Sequence, residues 1–169
     1  CDAEVDFDSQ SDPQTITVTY NGENCRGNRS RSGVVIVAFP KNTKWSDEGA
    51  AASVTFQNFK VTRLSDNKSS TINGTQTYTN VSGGLLKDLA SKESIIHSVS
   101  SNGLSVVFDN GAARTWQVAK KHTYTYNNGA VLAVSGMHTE GNETNVVEWG
   151  TNRLGLSFTT STVEPVIVR

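Results

Sequence analysis

Thr15-Ile16-Thr17-Val18-Thr19-Tyr20-Asn21-Gly22 sets the pattern for the whole chain. Ile16, Val18 and Tyr20 alternate with Thr15, Thr17 and Thr19. Successive side chains of a strand point to opposite faces, so this stretch predicts a strand with one apolar and one hydroxyl face. Leu104, Val106 and Phe108 follow the same rule. So do Arg114, Trp116 and Val118, and Leu154, Leu156 and Phe158. Thr75, Thr77 and Thr79 line one face of a further strand, with Gln76, Tyr78 and Asn80 opposite. Residues 34–39 are continuously apolar, which predicts a strand covered on both faces.

Asn-Gly pairs occur at 21–22, 73–74, 102–103, 110–111 and 128–129. Both residues accept the positive φ of a tight hairpin, so these pairs predict turns. The pairs at 102–103 and 110–111 bracket a short strand inside a meander from about Ser94 to Ala119. The pair at 128–129 joins residues 123–126 to 130–134 as another hairpin. Val54 and Phe56 share one parity while Phe59 and Val61 take the other, which predicts a bulge near Asn58. Leu85, Leu86 and Leu89, with Lys87, Asp88 and Lys92 between them, predict one short amphipathic helix near 84–92, placed to plug an open end of the sheet. Residues 1–12 read as an irregular acidic segment and 40–50 as irregular. The expected fold is therefore all-β: a single, mostly antiparallel meander domain over 1–169, either a sandwich or a curled sheet. The closing run Val166-Ile167-Val168-Arg169 suggests a longer natural chain.

Composition narrows the function. The chain has 169 residues and a formal net charge of −1, which argues against a nucleic-acid partner held by a basic field. The 19 Thr, 19 Ser and 15 Asn stand where charged residues would otherwise be, consistent with strands and turns rather than helices. No apolar run is long enough to span a bilayer as a helix. The same abundance of Asn, Ser and Thr makes the five Asn-x-Ser/Thr sequons expected by chance.

Motifs for chemistry are sparse. There is no Gly-x-Ser-x-Gly elbow, no P-loop and no Gly-x-Gly-x-x-Gly. His138 and Glu140 share a strand face, but no third metal ligand is evident among Glu143 and Glu148. Glu140, Glu143, Glu148 and Glu164 are glycosidase acids by residue type alone. The sequence predicts no cofactor, no metal and no enzyme. Trp45 lies in a polar loop and is the tryptophan expected to be exposed, while Trp116 and Trp149 match the buried parity. With Tyr78, Tyr124 and Tyr126, Trp45 offers flat faces to a sugar ring. Arg26, Arg29 and Arg31 form the single basic cluster, suited to a phosphate, a lipid headgroup or an acidic partner, or to ion pairs with the acidic start. Cys1 allows two readings: a lipidated bacterial N-terminus, or a disulfide to Cys25 closing a loop of about 25 residues, worth about 3 kcal/mol. Both point outside the cytosol.

Cys25-Arg26-Gly27 followed by residues 31–37 resembles a pattern found in surface lipoproteins of Bacteroidota, of flavobacterial type. Residues 54–61, Ile72-Asn73-Gly74-Thr75, Thr79-Asn80-Val81, Arg114-Thr115-Trp116, residues 149–155 and Glu164-Pro165-Val166 are similar to its later segments. The resemblance covers roughly 14–169, rests on strands and turns, and carries no catalytic residue. It implies a non-enzymatic domain at the outer membrane or cell surface, a structural or accessory subunit of an envelope protein assembly. Membrane contact would come only through a lipid anchor. It also places Cys1 inside the domain, which favours the disulfide. A cell-surface carbohydrate-binding module is the alternative. A hydrolase using acids between Glu140 and Glu148, and a lipid carrier with a cavity under the helix, are further readings.

Overall fold

The structure is a computed structural model that describes residues 1–164 and 166–168. It holds twelve strands in chain order: β1 Ala3–Asp8, β2 Gln14–Glu23, β3 Arg29–Phe39, β4 Ala50–Arg63, β5 Ser69–Asn80 and β6 Ile95–Phe108. Then come β7 Ala113–Tyr126, β8 Ala130–Gly136, β9 His138–Glu140, β10 Glu143–Thr151, β11 Ser157–Ser161 and β12 Val166–Val168. A 3-10 helix, Leu86–Ser91, lies between β5 and β6. All the strands belong to one antiparallel sheet, ordered β1-β2-β3-β4-β5-β6-β7-β10-β11. The second edge of β7 is shared, with β10 along its first half and β8 along its second. β12 extends β8, and β9 extends β10.

The sheet is an open meander, not a sandwich. Strands pack chiefly on their hydrogen-bonded neighbours, apart from a crossing of β8 with β10 and a contact of β7 with the 3-10 helix. Alternation sorts the two faces as the sequence indicates. The register Val5↔Val18↔Val35↔Phe56 runs across β1 to β4 on the apolar face. Thr17↔Ile36↔Thr55↔Thr75 runs across β2 to β5 on the other, where the Thr55 and Thr75 hydroxyls meet at 2.9 Å.

Burial is concentrated at one end. Val99, Leu104 and Val118 form the core cluster, with Phe56 and Trp116 packed against it, and Ile95, Val146 and Val147 are also buried. Within β1 to β5 only Ala50 and Asn80, at strand ends, are buried. Residues 34–39 are half-buried rather than covered on both faces, because no second layer reaches them.

Further local expectations need correction: Leu154 and Leu156, read with Phe158 as one strand, stand exposed in the turn before β11. Residues 1–12 are not wholly irregular: β1 pairs with β2 through six residues, Phe7 opposite Ile16. Its Val5 and Phe7 alternate with Glu4, Asp6 and Asp8, a strand pattern masked by acidity. The short helix expected near 84–92 is present, as a 3-10 segment that buries Leu89 alone, with Leu86 46% exposed. The Asn-Gly pairs at 110–111 and 128–129 make turns, but those at 21–22, 73–74 and 102–103 lie inside β2, β5 and β6. The meander at 94–119 accordingly has two long strands instead of three short ones.

The bulge expected near Asn58 is present. Asn58 has φ 49°, and the register of β4 on β5 shifts between Phe56 and Phe59. Gly33 faces it from β3 with φ 96°, and a Cβ there would overlap the Asn58 carbonyl. Gly74 and Gly103 approach each other in the same way between β5 and β6. Glycine is therefore required at Gly33 and Gly74 for both dihedral and space.

Candidate functional site

The expected basic cluster separates into residues with different work. Arg31, on β3, donates from Nε and Nη2 to the two carboxylate oxygens of Asp2 at 2.6 and 2.7 Å. Its guanidinium also stacks over Tyr20, 4.7 Å from the ring centroid. Asp2 is buried, and the Arg31 hydrogen bond holds its carboxyl below the usual range. Arg31 thus fastens the acidic start of the chain to the sheet. Cys1 does the same covalently: it is disulfide-bonded to Cys25, with the two Cα atoms 5.3 Å apart. A sulfur held in a disulfide cannot carry a thioether-linked lipid, which decides between the two readings of Cys1.

Arg29 opposes Arg63 across the β3–β4 ladder, a like-charge pairing that is unfavourable by itself. Arg63 is paired with Asp66, whereas Arg29 makes no ion pair among the described residues. Together with Gly27, Asn28, Leu64 and Ser65 the two arginines line a cleft of about 470 Å³. Arg63 is a partner that sequence spacing does not reveal, because it reaches Arg29 only through the strand register. Arg26 sits exposed in the β2–β3 turn and lines neither this cleft nor the one at Trp45.

Trp45 is 38% exposed, as its polar loop implies, while Trp116 and Trp149 are half-buried. It lines a cleft of about 340 Å³ with Phe39, Pro40, Thr43, Lys44 and residues 50–52. Its loop is held by buried Asn80, whose amide donates to the Trp45 carbonyl at 2.6 Å and to the Gly84 carbonyl at 2.8 Å. Edge-on contacts link Trp45 to His97 and His97 to Tyr124, at 5.3 and 5.2 Å between centroids. Of the expected tyrosines, Tyr78 pairs with Ala52 beside this cleft, and Tyr126 is exposed at the end of β7.

His97 and His122 are direct cross-strand partners. Burial lowers both imidazoles below the ordinary histidine value; His122 adds to this at His97, and Lys120 adds to it at His122. His138 and Glu140 do face each other, at 3.0 Å. The imidazole of His138 lies flat on Trp149, 3.9 Å between centroids. Glu143 opposes Glu140 in the register, and Glu148 pairs with Lys120 at 2.7 Å. No three ligating side chains converge among the described residues.

The apolar face of β1 to β4 is half-buried along β2 to β4 and most open at its β1 edge. The chain exposes 10244 Å². A compact protein of this mass exposes about 8,100 Å². Val5 and Phe7 are 63% and 55% exposed at its free edge. Comparison with protein-family models, curated proteins and solved structures gives no match.

Proposed function

We propose that the chain is a non-enzymatic domain of the cell envelope, held at the outer membrane or cell surface, that joins an envelope protein assembly as a structural or accessory subunit. The observation that carries this reading is the apolar edge at β1, with Val5 63% and Phe7 55% exposed, in a chain that as a whole exposes about 2,000 Å² more than a compact protein of its mass. A stable interface removes about 800 Å² from each partner, which is less than that excess. The disulfide supports an oxidising compartment. Any lipid anchor would be carried elsewhere than on the Cys1 sulfur.

The test is affinity capture from detergent-solubilised envelopes with oxidised protein and with the double variant V5K/F7K. Both positions are exposed, so folding tolerates the change. Capture of one defined outer-membrane protein by the parent chain, lost in V5K/F7K, supports the reading. Equal capture by both, or none by either, rejects it.

The Trp45 cleft favours the carbohydrate-binding alternative, because an exposed indole beside Phe39 and Pro40 provides an apolar platform for a sugar ring. Glycan-array binding abolished by W45A supports it, and silence across all glycans removes it.

A further inference from the structure

At the far side of the sheet from β1, four segments meet around a cleft of about 320 Å³ lined by Phe108, Arg114, Asn152, Arg153 and Phe158. Arg153 lies over Phe108 with its guanidinium carbon 3.7 Å from the ring centroid. Arg114 lies over the rings of Phe158 and Trp116, at 5.0 and 5.3 Å from their centroids. Cation–π contact holds both guanidiniums against aromatic rings and leaves their N–H groups unspent. Neither arginine has an ion pair or hydrogen-bond acceptor among the described residues, and the Nε of Arg114 is shut off from solvent without a partner. The Asn152 side-chain oxygen accepts from the backbone N–H groups of Leu154 and Leu156, at 2.8 and 3.1 Å. Only its amide N–H groups remain to face a ligand. Among the described residues no carboxylate lines the cleft. The neighbouring Asp109 faces Lys68 instead, at 4.0 Å.

Two uncompensated cations and an amide donor therefore converge in a chain whose net charge is −1. One arginine fork satisfies a planar carboxylate, whereas three separate donor groups suit the several oxygens of a tetrahedral phosphoryl group. We propose that Arg114, Arg153 and Asn152 form a binding site for a phosphate ester. Leu154 and Leu156 stand 82% and 60% exposed on the same β10–β11 turn. They give the site an apolar rim, so the ester is either the headgroup of a phospholipid or a soluble phosphate ester. This proposal is independent of the partner-binding face, which uses other strands.

Two titrations test it. Glycerol phosphate is titrated calorimetrically into the oxidised chain. Separately, the chain is sedimented with phosphatidylglycerol vesicles, with phosphatidylcholine vesicles as control. R153Q, at an exposed position, should weaken binding at least tenfold in whichever arm is positive, and R26Q should leave it unchanged. R114Q should match R153Q. Glycerol phosphate binding that survives L154S/L156S identifies a soluble ester; vesicle binding lost in L154S/L156S identifies the lipid headgroup. No binding in either arm, or binding unaffected by R153Q, overturns the site.

Discussion

Asp2 and Arg31 show how a residue pair far apart in sequence closes the N-terminal end. The pair lowers the Asp2 carboxyl, so its stabilisation is present above the ordinary carboxylate value of 3.8 and is lost as pH falls through the lowered folded value. An R31Q variant is accordingly expected to lose the part of the acid-unfolding limb that lies below about pH 4. Thermal midpoints measured across pH 2–5 check this, and an unchanged limb contradicts it. The two histidines act in a higher window. Burial favours their neutral forms, so the unfolded chain binds more protons once pH drops below the ordinary value of 6.5. Stability should decline from pH 7.5 to 5.5, and H97Q/H122Q should flatten that slope in the same measurement. Neither pairing is visible in the linear sequence. Arg31 is legible as part of a basic cluster and Asp2 as part of an acidic start, but their contact depends on β1 lying beside β2 and β3.

Strands were the most legible elements, because period-two alternation follows directly from backbone geometry. The bulge at Asn58 was legible for the same reason: the parity of β4 changes there. Asn-Gly pairs were ambiguous because a positive φ serves a bulge as well as a turn. Gly74 (φ 112°) and Gly103 (φ 65°) use it inside long strands, whereas Gly111 (φ 80°) uses it in a true hairpin. G74A should therefore cost about 2 kcal/mol, from both the dihedral and the overlap with Gly103. Chemical denaturation measures this; a loss below about 0.5 kcal/mol would show that the bulge relaxes freely. β1 is not legible as a strand because three carboxylates occupy its second face. The Arg114–Arg153 cleft is not legible either, because its members come from separate strands and the β10–β11 turn. The alternation of Arg114 with Trp116 was the one local sign that a cation and an aromatic ring share a face.

At the scale of the molecule, the asymmetry of burial sets the dynamics. β6, β7 and β10 carry the enclosed Val99, Leu104, Val118 and Val146, while β1 to β3 have no buried side chain. Local opening follows buried apolar contact, so amide exchange should be slowest in β6 and β7 and grow faster toward β2. Hydrogen-exchange mass spectrometry of the oxidised chain reads this gradient, and equal protection across the sheet would refute it. The overall shape was only partly legible, since alternation specifies two faces without stating what lies on either. An unclosed sheet also has edge strands, among them β1 and β11, whose backbone groups are free to recruit another chain. β1 sets Glu4, Asp6 and Asp8 side by side, so a second β1 zipping alongside would crowd six carboxylates together. β11 is only five residues long. Strong acid would neutralise the first safeguard, and two copies would then be free to pair edge to edge through β1.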